Sequence, residues 1–441
     1  MGNSFSKAIY TFKTKILNPK LSVLHKKAEA TLQEDDLEGY NFGRRDDLFK
    51  YARMHSKFYK EKYADLELHQ GLETQEDFLE IPPLTRAELR ENFEDIQVNH
   101  VKRIKTRKAK TSGSTGPPIT VLHDSRNPET PIRWRILKWW GVEPWENQAF
   151  IYRFKKPLLT QLWNDLMWWP TRRVFLAAAN LNDKKLHKFI NRFNRIKPTL
   201  LQGYVDVVFE FALYLLDNNI KIHPPKMVWV TSAPLFEEQR AIMEKAFGAP
   251  VCDQYGNTEI LLIAAECPEQ KGLHIMQDTV HIEFVDENNK PVPPNTTGRI
   301  LLTDLTNYAF PLIRYEIGDE GKYLDYQCSC GKNLPLMENV RGRQAFVLKT
   351  PTGLSIRGEH LMAMFSGYIK AFKEIQLVQN KDYSVCINYV PRYEGKGQDE
   401  VQQMAQLVER RARSEINVTS KEIDKIKIVG RKTPLIISLL D

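Results

Sequence analysis

The sequence predicts an α/β protein with two domains and a largely parallel sheet. Strand, helix and strand alternate between residues 197 and 255, which is typical of parallel sheets flanked by helices. Beyond Gly272 the pattern changes to alternating strands and turn-rich spacers, which predict a β-rich subdomain. The length of 441 residues exceeds the size at which one hydrophobic core usually stops growing. We expect a large N-terminal domain with mixed and parallel sheets, and a small α+β C-terminal domain.

The individual elements follow this plan along the chain. The sequence predicts helices over residues 44–66, 86–93, 207–217, 237–247 and 400–413. It predicts strands near residues 121–122, 227–230, 280–285, 299–303, 374–378, 385–390 and 426–429. Thr85 and Glu88 form a capping box that begins the second helix. Seven tryptophans between residues 134 and 169 indicate core packing or a domain seam, with an apolar substrate pocket as the alternative.

The composition is that of an ordinary globular protein, and its mild basic charge favours an enzyme that handles anionic nucleotides over a nucleic-acid-binding protein. Hydrophobic residues make up 42% of the chain and charged residues 27%. The net charge of +8 is interleaved with acids, which argues against a nucleic-acid partner. The chain contains no run of 18 apolar residues, so we expect no membrane span. Five cysteines, an odd number, argue against a disulfide framework and favour a reducing cytoplasm.

The first 27 residues are basic and aromatic, and no acid precedes Glu29. Residues 1–6 formally match the pattern for N-myristoylation at Gly2, while a solvated helical arm is the alternative. We expect no signal peptide, since an apolar core and a small-residue cleavage site are both missing.

A glycine- and hydroxyl-rich segment follows the basic run 102–110 and is the first candidate for a phosphate site. Its five central residues are Ser112, Gly113, Ser114, Thr115 and Gly116. Glycine lets successive N–H groups point into one concavity, and hydroxyl groups add donors for the same anion. No Gly-Lys-Ser/Thr follows, so the segment is not a Walker A loop. An ordinary surface turn is the alternative.

A second candidate site lies in residues 253–259, which combine a flat ring, a turn former, a hydroxyl and a carboxylate. Tyr255 with Gly256 suits the flank of a planar base. Glu259 supplies the oxygen ligand that Mg²⁺ prefers. The alternative is an Asn/Gly turn that runs into a helix through Thr258 and Glu259.

Five motifs in order resemble those of the adenylate-forming superfamily of acyl-CoA synthetases and adenylation domains. They are Ser112-Gly-Ser-Thr-Gly-Pro-Pro118, Thr231-Ser-Ala-Pro234, Tyr255-Gly-Asn-Thr-Glu259, Pro311-Leu-Ile-Arg-Tyr-Glu-Ile-Gly-Asp319 and Arg341-Gly-Arg343. Segments 51–59, 79–85 and 197–204 are similar to the phenylacetate-CoA ligase type and its CapK-type relatives. The resemblance covers nearly the whole chain.

The resemblance implies a role for each motif. Residues 112–116 would wrap the triphosphate of ATP. Ala233-Pro234 and Tyr255-Gly256 would form the two sides of an adenine slot, and Asn257 belongs to the same nucleotide-binding set. Thr258 would contact the α-phosphate, and Glu259 would ligate Mg²⁺. Such chemistry depends on positioning and charge neutralisation.

Three further residues complete the implied site, and two departures from the superfamily pattern surround them. Asp319 would accept hydrogen bonds from the ribose, and Arg343 would lie at a hinge near the nucleotide. Lys432 is the candidate for the catalytic lysine of a C-terminal lid. The phosphate loop lacks the lysine that many members carry at its end, and residues 344–346 replace the usual acidic hinge pair.

Three cysteines and one histidine form a candidate metal site: Cys267, His274, Cys328 and Cys330. Four such ligands suit a closed tetrahedral Zn²⁺ site of structural type. Their spacing resembles that of zinc-bearing relatives of phenylacetate-CoA ligase. Buried thiols beside an ordinary histidine are the alternative.

We therefore expect an AMP-forming ligase with an adenylation domain over residues 1–342 and a mobile lid over 343–441. By resemblance, it would use ATP and Mg²⁺ to convert a carboxylic acid to an acyl-adenylate, with coenzyme A as the acceptor. Transfer to an amine or hydroxyl in polysaccharide biosynthesis, as in CapK-type proteins, is one alternative. A non-catalytic nucleotide-binding relative is another. Whether the chain forms a homodimer is left open.

Overall fold

The computed structural model describes residues 2–17, 19–32, 36–111, 118–125, 128–153, 158–178, 182–340, 347–426 and 435–440. The chain divides into two compact units. The first comprises Met1–Ala109, Val121–Ile317 and Gly321–Val340, and the second comprises Lys110–Thr120, Gly318–Glu320 and Arg341–Asp441. None of the described helices combines the length and the apolar content needed to cross a bilayer.

The helices of the described residues are α1 Gly2–Leu17, α2 Pro19–Thr31, α3 Leu37–His55, α4 Lys57–Lys62, α5 Gln75–Glu80, α6 Arg86–Glu91, α7 Phe93–Ile96, α8 Glu129–Trp139, α9 Leu158–Trp168, α10 Asp183–Ile196, α11 Val205–Asp217, α12 Glu237–Phe247, α13 Gly358–Phe365 and α14 Gln398–Arg411. Short 3₁₀ turns lie at Val101–Arg103 and Ser366–Ala371.

The strands are β1 Thr106–Lys110, β2 Thr120–Asp124, β3 Gln148–Tyr152, β4 Arg173–Ala177, β5 Leu200–Tyr204, β6 Met227–Thr231, β7 Val251–Asn257, β8 Leu261–Glu266, β9 Leu273–Ile275, β10 Val280–Val285, β11 Gly298–Asp304, β12 Tyr315–Gly321, β13 Tyr323–Leu324, β14 Leu336–Met337, β15 Val347–Lys349, β16 Ser355–Arg357, β17 Phe372–Gln379, β18 Val385–Pro391, β19 Val418–Glu422 and β20 Ile436–Ser438.

A nine-stranded sheet with the order β13-β14-β9-β8-β7-β6-β5-β3-β4 dominates the first unit. The strands from β4 to β7 pair in parallel, and those from β7 to β13 pair antiparallel. Helices cover both faces of the parallel half of the sheet, so its strands are buried on both sides. The sequence of β6 is accordingly apolar from Met227 to Val230 and includes the fully buried Trp229. The direction of pairing changes at β7, the strand that holds the Tyr255 segment.

A second, three-stranded sheet of order β10-β11-β12 forms the β-rich part of the first unit. Strands β10 and β11 pair antiparallel from Val280↔Asp304 to Val285↔Arg299. The buried Arg314 guanidinium donates to Glu283 of β10 at 2.9 Å and to the carbonyl oxygens of Leu79 and Ile81 at 2.7 and 2.5 Å. One side chain thereby attaches the Pro82-Pro83 segment to this sheet.

The second unit contains a four-stranded sheet of order β19-β18-β17-β20 and the helices α13 and α14. Strands β17 and β18 are antiparallel, while β20 and β19 are added in parallel at the two edges. Its own core includes Leu377, Ile387 and Met404, all fully buried. The predicted α/β fold class is confirmed; the domain boundary at residue 342 stays a prediction.

The structure reproduces most predicted elements and corrects two of them. The Thr85–Glu88 capping box is present at the start of α6, and α12 has the predicted bounds. The single helix predicted over 44–66 is wrong, since Ser56 ends α3 and caps α4. The strand predicted at 426–429 does not include Ile426, and residues 427–429 lie outside the described residues.

Candidate nucleotide site and cysteine–histidine cluster

The two predicted sides of the adenine slot leave neighbouring parallel strands at the same edge of the large sheet. Strand β6 pairs with β7 through Val228↔Val251 and Val230↔Asp253. At the end of β6, the Thr231 hydroxyl donates to the carbonyl oxygen of Gln254 at 3.2 Å. Ala233-Pro234 follows this point on one strand and Tyr255-Gly256 follows it on the other. Carboxyl ends of parallel strands are where ligands bind in open α/β sheets.

Glycine is required at position 256 by the close approach of the next strand. A Cβ at this position would lie 1.9 Å from the carbonyl oxygen of Leu261. Asn257 then closes the turn, since its Oδ1 accepts from the backbone N–H of Ile260 at 2.6 Å. Thr258 and Glu259 therefore sit in a tight connection between β7 and β8, and the alternative that this segment runs into a helix is wrong.

A hydrogen bond from strand β2 also fixes the position of Thr258. The His123 Nε2 in β2 donates to the Thr258 carbonyl oxygen at 2.8 Å. Burial lowers the pKa of His123, so this imidazole is neutral at physiological pH and its Nε2–H tautomer is the one required. The turn that presents Thr258 is thus fixed by a hydrogen bond as well as by the β7–β8 ladder.

The Glu259 carboxylate is buried beside the positively charged Arg86 side chain. Its side chain is 1% exposed and lies 3.7 Å from the Arg86 guanidinium. The Tyr315 hydroxyl donates to the same carboxylate at 3.4 Å. A buried carboxylate needs a positive partner, which either Arg86 or a divalent cation supplies, so a cation bound here would share the carboxylate with Arg86.

Beneath the Tyr255 segment lies a buried pair of carboxyl groups that the sequence analysis missed. Burial, and then the charge of Glu266, raise the pKa of Asp253 to about 7. Glu266 accepts from Arg240 at 2.7 Å and from the Asp253 backbone N–H at 2.8 Å. The three groups come from β7, β8 and α12, so no short sequence window contains them together.

A half-open cavity of about 390 Å³ with mixed polar and apolar walls was also missed. Lys27 and Arg44 line it together with Tyr51 and Tyr308, and Asp124 enters it one residue after His123. The Arg44 guanidinium lies 5.4 Å from the centre of the Tyr308 ring. Its walls come from separated helices and loops, which is why no motif pointed to it.

Several predicted site residues fall outside the described residues. They are Ser112, Gly113, Ser114, Thr115, Gly116, Arg343 and Lys432. At the ends of the phosphate loop, the Thr111 N–H donates to the Ile119 carbonyl at 2.8 Å, and the Ile119 N–H donates to the Thr111 hydroxyl at 2.9 Å. Asp319 lies half-buried in β12, after Gly318 with φ +84°. The roles assigned to all these residues stay predictions.

The four predicted metal ligands come together at the antiparallel edge of the large sheet. The ligand atoms of Cys267, His274, Cys328 and Cys330 all lie within 4.8 Å of one another. The Sγ atoms of Cys267 and Cys328 are 3.6 Å apart, and Cys330 Sγ lies 3.3 Å from His274 Nε2. Tetrahedral Zn²⁺ with Zn–S bonds of about 2.3 Å would separate its sulfur ligands by about 3.7 Å. The observed spacing fits that geometry.

The surroundings of the cluster also suit a metal. His274 Nδ1 donates to the Leu334 carbonyl at 3.3 Å, which leaves Nε2 directed at the cysteines. Burial lowers the pKa of His274 to about 4 and raises the pKa of Cys267 to about 12. The imidazole is therefore neutral, as a ligand must be, whereas the buried thiol needs a nearby positive charge to ionise. Trp139 covers the cluster, with its ring centre 5.6 Å from that of His274.

Comparison with known proteins places this arrangement in context. No protein-family model matches the chain. CapK of Staphylococcus aureus is 25% identical over 286 residues, which cover 62% of this chain and 60% of CapK. A phenylacetate-coenzyme A ligase of Thermus thermophilus is 34% identical over 115 residues, or about a quarter of each chain. The matched segments thus span less than two thirds of these relatives.

Solved structures match over more of the chain. 2-Hydroxyisobutyryl-CoA ligase in its postadenylation state, in complex with 2-HIB-AMP, aligns over 90% of this chain and 88% of its own, with a TM-score of 0.73 and 17% identity. The chain shares the fold of this ligase and is similar in sequence to CapK and to phenylacetate-coenzyme A ligases, in agreement with the resemblance to adenylate-forming ligases. The amide bond synthetase McbA of Marinactinospora thermotolerans shares the fold over 74% of this chain and 66% of its own, with a TM-score of 0.52 and 14% identity.

These comparisons agree with the resemblance recognised from the five motifs and leave the individual site residues as predictions. The described part of the site includes the β6 and β7 strand ends, the turn at Thr258 and the buried Glu259. Sequence reasoning found these segments because each is contiguous. It missed Arg86 and His123, which approach the same turn from distant segments and match no motif.

Proposed function

We propose that the protein activates a carboxylic acid with ATP as an acyl-adenylate, releases pyrophosphate, and transfers the acyl group to coenzyme A. The observation that supports this most strongly is the juxtaposition of the Ala233-Pro234 and Tyr255-Gly256 segments at adjacent strand ends, beside the buried Glu259. The relatedness to phenylacetate-coenzyme A ligases and the fold shared with a ligase bound to an acyl-AMP point the same way.

In this proposal the substrate carboxylate attacks the α-phosphorus of ATP, and pyrophosphate departs. Negative charge then develops on the phosphate oxygens. A hydrogen-bond donor already fixed in place stabilises this charge better than water does, because water must first reorient. Thr258 would donate to these oxygens, and the His123 hydrogen bond would keep its backbone in place. Mg²⁺ would neutralise phosphate charge, with Glu259 as its ligand. The thiol of coenzyme A would then attack the acyl carbonyl carbon and release AMP.

Pyrophosphate exchange into ATP tests the first half of the reaction. We expect exchange that depends on an added acid, assayed over a panel of aromatic, branched and hydroxylated carboxylic acids. Glu259→Gln should lower the exchange rate by about 10²-fold or more. The substitution removes the carboxylate that would ligate Mg²⁺ and that also pairs with Arg86. Glu287→Gln, at an exposed turn position, is the matched control and should leave the rate unchanged. Absence of exchange with every acid would refute the proposal.

Coenzyme A as the acceptor has a specific rival. CapK matches a longer part of this chain than the Thermus ligase does, and McbA, an amide bond synthetase, shares the fold. An acceptor panel with coenzyme A, amines and hydroxyl compounds, read by mass spectrometry of the acyl product, separates the two. A thioester supports the first proposal, whereas an amide or ester formed in preference supports a role in polysaccharide biosynthesis. Exchange without turnover of any acyl acceptor would favour a relative that retains only adenylation.

We further propose that residues 343–441 form a mobile lid and that Lys432 contributes to adenylation. The compact second unit, with a core of its own, supports the first statement. Lys432→Ala should slow exchange, while Lys425→Ala, at an exposed position of the same unit, should not. Equal rates for the two variants would remove Lys432 from the site.

We also propose that the cysteine–histidine cluster holds one structural Zn²⁺. Four protein ligands leave no open position for a substrate, so the metal would stabilise the sheet edge and take no part in acyl transfer. Thiolate ligands require a reducing compartment, and together with the use of ATP this supports a cytoplasmic location.

A further inference from the structure

Helix α9 displays an apolar stripe to solvent. Leu159, Trp163, Leu166 and Met167 follow one another at intervals of four, three and one residue, which places them on one face of the helix. Their exposed fractions are 80, 62, 66 and 40%. Helices of globular proteins normally turn such a stripe towards the core, so this face is built for a surface other than water.

Helix α1 displays a second stripe. Phe5, Phe12 and Ile16 lie seven and four residues apart, on one face, and each is more than half exposed. The opposite face is occupied: the Tyr10 ring contacts those of Trp134 and Trp168, at centre distances of 5.7 and 6.3 Å. The helix is thus anchored on one side, and more than half of each side chain in its apolar stripe stays open to solvent.

The two stripes belong to one surface, which we call the α1/α9 face. The Lys13 ammonium donates to the Trp169 carbonyl oxygen at 2.6 Å, and the Phe5 and Trp169 rings meet edge to face at 6.2 Å. Among the described residues, ten of the fourteen exposed large apolar side chains lie on α1, α2, α9 or the residue after α9. An apolar surface this concentrated is unusual for a protein that meets only water.

The charge around the α1/α9 face is one-sided. The first 28 residues contain six lysines and no acid. Lys7 lies 5.3 Å from the centre of the Trp145 ring, and Lys15 is exposed in the last turn of α1. The nearest acids in sequence are engaged elsewhere: Glu29 pairs with Lys138 at 3.2 Å, and Asp165 on α9 lies 3.8 Å from Arg192. A basic rim around an apolar, tryptophan-bearing face complements an anionic surface.

We infer that the α1/α9 face binds the interfacial region of an anionic lipid bilayer and holds the protein at the membrane as a peripheral protein. Exposed tryptophan and phenylalanine favour the headgroup boundary, and lysine is attracted to anionic headgroups. A second copy of the chain fits less well, since a two-fold contact through this face would bring two sets of lysines together. The inference goes beyond the proposed ligase function and does not depend on it.

Co-sedimentation of the protein with vesicles tests the inference. We expect binding to vesicles of phosphatidylglycerol and phosphatidylcholine in equal parts, weaker binding to phosphatidylcholine alone, and a loss of affinity as salt rises. The double variant Phe12→Gln/Trp163→Gln should bind at least tenfold more weakly, because both side chains enter the interface. Lys15→Glu should weaken only the binding to anionic vesicles. Met54→Gln, at an exposed apolar position on α3, is the control and should bind as the wild type does.

Three outcomes would overturn the inference. One is equal affinity of the wild type and the Phe12→Gln/Trp163→Gln variant for anionic vesicles. A second is the absence of vesicle binding by a correctly folded wild type, with folding checked by circular dichroism. The third is a dimer in light scattering that the double variant converts to a monomer while vesicles bind neither form, since the face would then be a contact between copies. Acid-dependent pyrophosphate exchange in solution should be equal in wild type and double variant, which separates this test from that of the enzyme.

Discussion

Replacing Arg314 by methionine should destabilise the first unit more than any surface change. The Arg314 and Glu283 side chains are 1% and 5% exposed, and the guanidinium also donates to the carbonyl oxygens of Leu79, Ile81 and Asn289. Removing one partner of a buried ion pair typically costs about 3 to 5 kcal/mol, because it leaves an uncompensated charge. The carbonyl groups that lose their donor add to this cost, so we expect a loss of about 4 to 6 kcal/mol in the free energy of unfolding.

Tryptophan fluorescence in urea is the appropriate assay, since all eight tryptophans lie between residues 134 and 229 and report on the first unit. Arg192→Met removes an exposed ion pair of 3.8 Å and should change stability by no more than about 0.5 kcal/mol. The double variant Arg314→Met/Glu283→Met should recover part of the loss, because no charge remains buried. If Arg314→Met and Arg192→Met unfold at the same urea concentration, the ion pair does not stabilise the unit and the reasoning fails.

Two further predictions concern the metal cluster and a buried carboxyl group. Cys330→Ser should reduce bound zinc well below one atom per chain in elemental analysis, whereas Cys386→Ser, in the second unit, should retain it; full zinc in both variants would contradict the assignment. Asp253 has its pKa raised from 3.8 to about 7, so the folded chain keeps a proton that the unfolded chain releases, and stability present below pH 4 is lost as the pH rises through 7. At 1.36 kcal/mol per pKa unit, the loss is at most about 4 kcal/mol. The free energy of unfolding of Asp253→Asn relative to the wild type should therefore increase between pH 5 and pH 8 in urea titrations, and a constant difference would show that Asp253 titrates normally.

Local sequence signals predicted the elements whose determinants are local. The bounds of α12 are set by its apolar spacing and by Gly248, which ends the helix with φ +62°. The break between α3 and α4 could not be predicted in this way. The Ser56 hydroxyl donates to the carbonyl oxygen of Asp95, which lies 39 residues further along the chain. A tertiary contact therefore helps to determine where α3 ends.

The same distinction applies to the candidate site. Tyr255, Thr258 and Glu259 lie within five residues and were found as a motif, and the four proposed metal ligands were found because their side chains have a distinctive chemistry. Arg86 and His123 are ordinary residue types brought in from distant segments, and Asp253, although it lies in the same segment, has its partner Glu266 on the next strand. Only the pairing of strands and helices reveals their position. The tryptophan-rich segment was predicted as core or seam, yet Trp163 and Trp169 are exposed on the α1/α9 face.

The short strands beside the cysteine–histidine cluster affect how readily the large sheet could pair with another chain. β13 and β14 contain two residues each, and β9 contains three, so few unpaired backbone groups are offered at that rim. Long open edges invite strand addition by another chain, and very short ones resist it. Cys328 and Cys330 lie in the chain between β13 and β14, and their Sγ atoms lie within 4.8 Å of the ligand atoms of Cys267 and His274. If the proposed Zn²⁺ holds these four residues together, its removal would loosen β13 and β14 and leave β9 exposed as an edge, so we expect the zinc-free protein to aggregate more readily.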